Sequence, residues 1–345
     1  MITNEQYQYT PQDFKSDQEV KWCPGCGNYA ILNSVTKALP EVASQLRYKH
    51  HRFAFISGIG CSSRFPYYVN TYGFHSIHGR AAAIATGAKV ANPRLSVWMA
   101  SGDGDSLAIG GNHFIHAVRR NIDINILLFN NEIYGLTKGQ YSPTSHLGKV
   151  TKTSPFGTVE HPFTPGELVL GARGTFFARS MDVEVGLTQE CLVAAARHDG
   201  TSVVEVLQNC VIFNDKTFGD FAPDKDARME NTIVLRHGER MIFGKDRNKG
   251  LIQIGNKLMV VRIGEGGVAE EDILIHNVHE PNPGVHMMLV NMDYPAYPIA
   301  LGVIRDVADT TYDYNVCAQL DKVRSNRVIA NVDDLLRSGD TWTVE

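Results

Sequence analysis

The stretch GDGDSLAIGGNHFIHAVRRNIDINILLFNNEIYGL, Gly102 to Leu136, decides the fold. A short apolar run containing Leu95, Val97, Trp98 and Met99 leads into Gly102-Asp103-Gly104-Asp105. A helical segment follows, then a second apolar run from Ile124 to Phe129, which ends in Asn130-Asn131. Short continuous apolar runs closed by turn residues read as buried parallel strands. Asp103 and Asn131 stand 28 residues apart, the separation expected for one helical crossover between neighbouring parallel strands. Both residues therefore fall at the carboxyl edge of one sheet, where open α/β sheets bind their ligands.

The residue types at that edge suit a divalent cation holding a diphosphate. Mg²⁺ takes hard oxygen ligands in near-octahedral geometry, a few from the protein and the rest from phosphate and water. Asp103 offers a charged oxygen, Asn131 an amide oxygen, and the backbone carbonyl of Ile133 a third. Gly102 and Gly104 let the backbone approach a phosphate closely. The order GDG, about 27 residues, then Asn resembles the thiamine diphosphate and magnesium motif. The plainer alternative is an Asp-Gly turn and an Asn cap on an ordinary βαβ unit. The paired Asn on a second strand end weighs against it.

Working outward, residues 1 to 20 are polar and read as an extended arm that could lie on another subunit. Ile31, Val35, Ala38 and Leu39 mark a helix with Pro40 as its stop. Arg52 to Ile56 reads as a strand, followed by the turn Ser57-Gly58-Ile59-Gly60-Cys61-Ser62-Ser63. The small residues of Gly79 to Val90 suit a closely packed helix. Gly135 to Pro165 is a long aperiodic connection, and such connections are more often functional than idle. Beyond it come a short helix (Gly166 to Gly171), a strand (Thr175 to Arg179) and a helix with stripe Val183, Leu187, Cys191, Ala194, Ala195. A strand, Thr201 to Leu207, then runs into Gln208-Asn209-Cys210. Alternating strands and helices predict an α/β fold with a doubly wound, mostly parallel sheet over 21–215.

The C-terminal extension, 216–345, is more polar. It reads as helix-like material at His237, Glu239 and Arg240, a strand at Lys257 to Ile263, and strand or helix at Glu270 to Ile275. An apolar run at Ile299 to Ile304 and a short helix starting at Asp333 complete it. Its expected role is subunit contact.

Composition narrows the class. The 345 residues are 43% hydrophobic and 20% charged, with a formal net charge of −4, which describes a globular protein and no nucleic-acid binder. The basic run Arg47 to Arg52 reads as a solvated loop. The first residues show no basic-then-apolar leader, and no run of 18 apolar residues occurs, so neither a signal peptide nor a membrane span is expected. Six cysteines are too few for a secreted disulfide scaffold and point to metal or redox work in a reducing compartment, the cytoplasm by default.

Cys23-Pro24-Gly25-Cys26 alone fits a zinc knuckle, a thiol–disulfide pair, or half of an iron–sulfur site. Cys61 and Cys210 each follow a predicted strand, at the same sheet edge as Asp103 and Asn131. The CxxC could join them there in a [4Fe–4S] site; the alternative is that both are core cysteines. Cys191 and Cys317 read as core. His113 and His116, three apart on a helix, match ligand spacing only by chance.

Taken together, WCPGCGN, GIGCSSR, HSIHGRA, GDGD, NNEIYGLTKGQ and a late Cys after a strand resemble the β subunits of the 2-oxoacid:ferredoxin oxidoreductases, most closely the 2-oxoglutarate type. The resemblance implies a diphosphate-binding domain of the thiamine-enzyme type. It implies [4Fe–4S] ligands Cys23, Cys26, Cys61 and Cys210, and Mg²⁺ held by Asp103, Asn131 and the carbonyl of Ile133. Ile59, Gly60, Cys61, Ser62, His78, Gly104, Asp105, Gly135 and Leu136 would line thiamine diphosphate. Lys138 falls where the family places a substrate-side lysine, and Arg64 and His75 sit in family-like motifs. From its charge Lys138 could pair with a distal carboxylate, the alternatives being a solvent-exposed loop lysine or one serving the diphosphate. His78 could polarise the substrate or bind thiamine, the alternative being a helix-capping or core histidine. The implied reaction is oxidative decarboxylation of a 2-oxoacid to acyl-CoA, or its reverse, with ferredoxin as electron partner. No glutamate here is placed to activate the cofactor, Glu132 lying beside the metal ligand, so a partner α subunit in an α2β2 heterotetramer is implied, also bringing much of the coenzyme A site. Two other classes stay open: a non-redox thiamine decarboxylase or carboligase, and an electron-transfer or zinc-structured subunit without thiamine.

Overall fold

The computed structural model describes residues 8–326 and 329–344. Among them, eight strands build one sheet: β1 (Phe53–Ser57), β2 (Tyr72–His75), β3 (Ser96–Gly102), β4 (Asn125–Asn130), β5 (Phe176–Met181), β6 (Ser202–Leu207), β7 (Thr232–Leu235) and β8 (Ile299–Asp306). They lie in the spatial order β2-β1-β3-β4-β6-β5-β8-β7. Every neighbouring pair is parallel except β5 with β8. The fold is the expected α/β, mostly parallel architecture.

The central strands are apolar throughout because both faces are covered. In β3, Val97 and Met99 join one core while Trp98 and Ala100 join the other, the two-residue alternation of a strand. Helices α1 (Asn28–Leu46) and α4 (Val185–Arg197) cover the Trp98 face through Ile31, Val35, Leu39, Cys191 and Leu192. Helices α2 (Ala81–Ala91) and α3 (Gly111–Arg120) cover the Met99 face. The small residues Ala81, Ala82 and Ala85 let α2 sit close to the sheet, with Phe114 of α3 filling the space beside them.

Several expectations change. Helix α1 does not stop at Pro40 but runs six residues further, to Leu46. Val42 and Ala43 continue the buried stripe, and their packing outweighs the backbone hydrogen bond that proline removes. The helix of the polar tail is Lys225–Asn231, capped by Asp224, which accepts from the Ala227 N–H at 2.8 Å. His237 and Glu239 lie in a turn, and Arg240 makes an isolated bridge to Ile275. Cys317 is half-buried on a mostly exposed helix, Tyr312–Ser325, rather than in the core. Strands β7 and β8 both lie beyond residue 215, yet they extend the main sheet, so that boundary falls within one sheet.

Of the N-terminal arm, residues 1–7 lie outside the described residues. Residues 11–14 form a 3-10 turn that folds back on this chain. Phe14 is fully buried, stacked on His50 at 4.8 Å and edge-on to Phe53 at 5.5 Å. Removing a buried phenylalanine typically costs about 3–5 kcal/mol. Phe14→Ala should therefore lower stability by roughly that amount in urea unfolding, while alanine at the exposed Tyr314 should change it by under about 0.5 kcal/mol. Equal, small effects would mean that the arm is not docked in solution.

Candidate active site

A cleft of about 460 Å³ opens over the carboxyl ends of the central strands. The turn after β1 brings Ile59, Gly60, Cys61 and Ser62 to it; the loop after β2 brings His78; β3 ends in Asp103, Gly104 and Asp105; β4 leads to Asn131, Ile133, Gly135 and Leu136. The registers that pair Ser57 with Ala100 and Gly102 with Phe129 align these strand ends. Every residue expected to line the thiamine or hold Mg²⁺ thus borders one cleft.

Asp103 is buried, and burial pushes its carboxyl above the usual carboxylate range. Its Oδ2 accepts from Ser142 Oγ and Thr144 Oγ1, both at 2.6 Å. A buried anion with short hydrogen bonds on one oxygen is suited to hold a cation. Asn131 Oδ1 accepts from the Ile133 N–H at 3.2 Å, which folds the loop so that the amide oxygen and the Ile133 carbonyl both belong to this edge. The Tyr134 hydroxyl donates to the Gly104 carbonyl at 2.8 Å. A Cβ on Gly104 would stand 2.3 Å from the Tyr134 ring, so only glycine fits there. The hard-oxygen donors and glycine backbone fit Mg²⁺ and a diphosphate.

Asp105 borders the cleft as expected, but its carboxylate is engaged by the protein's own donors. Its Oδ1 accepts from Ile59 N (3.0 Å), Gly79 N (2.7 Å) and His78 Nδ1 (2.6 Å), and its Oδ2 accepts from Ser101 Oγ (2.6 Å). The carboxylate is consumed inside the protein and braces the cleft. An ionised carboxylate only accepts, so His78 carries its proton on Nδ1 and keeps Nε2 for the cleft.

The four expected cluster cysteines converge. Cys26 N donates to Cys23 O at 3.0 Å across a turn that needs Gly25 at φ 81°. Trp22 Nε1 donates to Cys61 O at 2.7 Å, and Gly27 N to Asn209 O at 3.3 Å, which ties the CxxC to the turns after β1 and β6. A Cβ on Gly135 would touch both Cys210 Sγ (3.5 Å) and Cys61 Sγ (3.6 Å). Burial pushes the Cys26 and Cys61 thiols up to about 11, and neighbouring thiols add to it: Cys61, Cys210 and Cys23 act on Cys26. Yet among the described residues no three His, Cys, Asp or Glu side chains gather closely enough for a single ion. Four thiols carried on three neighbouring segments suit an iron–sulfur cluster, which takes one thiolate per iron. Asn28, two residues from Cys26, is fully buried and its amide has no hydrogen-bond partner, as a donor awaiting a further acceptor would be. Cys191 is in the core, where burial pushes its thiol up to about 12.

Lys138 is exposed, with φ 77°, and stands outside the lining of the cleft. Arg64 and His75 line a neighbouring chamber of about 580 Å³ with Lys21; Ile59, Gly60 and Leu136 form the shared wall. Glu132 is buried, and its carboxyl is pushed up to about 8 by burial and then by Asp103. His146 Nε2 lies 3.3 Å from it, and it does not line the cleft. The sequence reading missed Tyr134, Gln208, Ser142 and Thr144. The only signal for the last two was the unusual length of the connection that carries them.

Residues 58–206 match the thiamine pyrophosphate enzyme family through its C-terminal TPP-binding domain. The chain is 49% identical over 337 residues to the 2-oxoglutarate oxidoreductase subunit KorB of Mycobacterium tuberculosis, covering 97% of this chain and 88% of that one. It is 43% identical over 210 residues to the β subunit of 2-oxoacid:ferredoxin oxidoreductase 1 of Aeropyrum pernix, covering 61% of this chain and 65% of that subunit. Among solved structures it resembles a chain of the 2-oxoglutarate:ferredoxin oxidoreductase of Magnetococcus marinus, which was solved with 2-oxoglutarate, coenzyme A and succinyl-CoA bound. That match has a TM-score of 0.76 and 30% identity, and covers 98% of each chain. With near full-length agreement in sequence and in fold, the chain belongs to the family of 2-oxoglutarate:ferredoxin oxidoreductase β subunits.

Proposed function

We propose that the cleft holds thiamine diphosphate and Mg²⁺ as half of the active site of a CoA-dependent 2-oxoglutarate:ferredoxin oxidoreductase. In this reading Cys23, Cys26, Cys61 and Cys210 carry a [4Fe–4S] cluster. The observation that carries it is the position of Cys61. This residue borders the cleft with Asp103 and Asn131, while its sulfur shares the space beside Gly135 with Cys210. One residue joins the oxygen-donor set to the thiol set. A non-redox thiamine enzyme would use only the first set, and a zinc-structured subunit only the second.

When bound, thiamine diphosphate supplies the electron sink for decarboxylation, and the cluster passes electrons on to ferredoxin one at a time. The chain's own residues set the stage. Asp103, Asn131 and the Ile133 carbonyl hold the cation, and Gly102 to Gly104 bring backbone close to the phosphates. Ile59 and Leu136 give apolar walls, and His78 offers Nε2 with its orientation fixed by Asp105. Lys138, which follows the lining residue Thr137, pairs with the distal carboxylate of 2-oxoglutarate. The described lining includes no glutamate, so the residue that activates the cofactor comes from an α subunit, which also carries much of the coenzyme A site in an α2β2 assembly. Among the described residues no helix is long and apolar enough to cross a membrane; the free thiols suit a reducing cytoplasm. The exposed Leu320, Val323, Leu336 and Trp342 suit the tail to subunit contact.

Two predictions test the reading. In the complex purified without oxygen, each β chain should carry about four iron, four sulfide and one thiamine diphosphate. Cys210→Ser should deplete iron and spare thiamine, whereas Asp103→Ala should do the reverse. Zinc in place of iron, or loss of both groups from either variant, would count against two adjoining sites. Separately, a charge-assisted contact contributes about 1.5–3 kcal/mol. Lys138→Ala should therefore lower kcat/KM for 2-oxoglutarate about 10- to 150-fold and for pyruvate less than about threefold. Equal losses would make Lys138 a cofactor or structural residue.

A further inference from the structure

A line of buried polar side chains runs from the interior of the sheet to Asp103. Arg179 on β5 donates from Nε to Glu205 Oε2 on β6 at 2.6 Å, directly across their register. Glu205 Oε1 accepts from Asn130 Nδ2 at the end of β4, at 2.8 Å. Asn130 Oδ1 lies 2.9 Å from Thr144 Oγ1, and Thr144 Oγ1 reaches Asp103 Oδ2 at 2.6 Å. All five side chains are at least nine-tenths buried.

Chemistry fixes the sense of this line. Glu205 is held as an acceptor by the guanidinium, so the Asn130 amide must turn its NH₂ toward Glu205 and its oxygen toward Thr144. Thr144 shares its one proton between Asp103 Oδ2 at 2.6 Å and Asn130 Oδ1 at 2.9 Å, a three-centre bond, so the placing of the Asn130 oxygen bears on where the hydroxyl points; Ser142 Oγ, 3.2 Å from Thr144 Oγ1, donates to the same Asp103 oxygen. An apolar pair would fill the place of Arg179 and Glu205 with no desolvation penalty. The buried ion pair instead orients one amide, and through it one hydroxyl.

We propose that Arg179, Glu205, Asn130 and Thr144 are positioning residues for the cation site: they fix Asp103 Oδ2 and so set the direction in which the carboxylate faces the cleft. The inference rests on the assignment of Asp103 as a Mg²⁺ ligand. Loss of such an outer partner typically costs 10- to 100-fold in metal affinity.

The test is Mn²⁺ affinity, read by electron paramagnetic resonance of the free ion, in the complex with its native partner subunit and with thiamine diphosphate present. Thr144→Val should weaken Mn²⁺ binding about 10- to 100-fold, and Thr144→Ser, which keeps the hydroxyl, should restore it to within about threefold of the parent. Glu205→Gln, whose amide can no longer dictate the Asn130 orientation, should weaken it about tenfold with no change in iron content. Parent-like Mn²⁺ affinity in Thr144→Val, or failure of Thr144→Ser to recover it, would overturn the positioning role while leaving Asp103 as a ligand. A parent complex that binds no Mn²⁺, or an Asp103→Ala variant that binds it normally, would overturn the metal site itself.

Discussion

The site depends on one buried carboxylate, that of Asp105. Four donors converge on it: two backbone amides, an imidazole and a hydroxyl. They come from the turn after β1, the loop after β2 and the end of β3. A carboxylate buried without partners would be strongly destabilising, but this one is satisfied on both oxygens. It binds together the three segments that present Ile59 to Ser62, His78 and Asp103 to the cleft. There is no room for adjustment at its back: a Cβ on Gly58 would stand 1.9 Å from Asp105 Oδ2. The closeness of backbone and carboxylate makes the cleft a preformed shape.

Two acids separated by one glycine therefore divide the work. Asp105 borders the cleft but both its oxygens are taken by the protein's own donors. Asp103 borders the same cleft; Ser142 and Thr144 engage its Oδ2, and burial raises the proton affinity of the group. The same burial that disfavours a bare anion favours an anion paired with a divalent cation, because the local charge is then compensated. The long connection after Leu136 supplies both hydroxyls.

Sheet order explains how the oxygen donors and the thiols meet. Strands β1 and β6 are separated by β3 and β4. The turns after β1 and β6 carry Cys61 and Cys210, and they close over the segment that follows β4, at Gly135. Asp103 and Asn131 sit at the ends of the two strands between. The CxxC is brought to the same place by the start of α1, anchored through Trp22 to the Cys61 carbonyl. Strands β7 and β8 take no direct part, but they extend the sheet on the β5 side and cover it with the tail of the chain.

The resemblance of its motifs to a known family named the candidate lining of the cleft, while residue pattern alone gave the alternation of strands and helices and the carboxyl-edge position of Asp103 and Asn131. The last two rest on local pattern: apolar runs closed by Gly or Asn, and helical spacing between them. Its errors lay where tertiary packing outweighs local preference. Pro40 reads as a stop, yet buried Val42 and Ala43 carry α1 past it. Residues beyond 215 read as an extension because the apolar run at Ile299 shows no partner in the sequence, and the short strand Thr232–Leu235 lies in a polar stretch; both pair only within the main sheet. Asp105 and Asp103 look alike in GDGD; that Asp105 braces three segments came from the fold alone, since it depends on donors distant in the chain. The same holds for Arg179, Glu205 and Thr144, which no motif marks and which meet because hydrogen bonds across neighbouring strands ignore their distance along the chain.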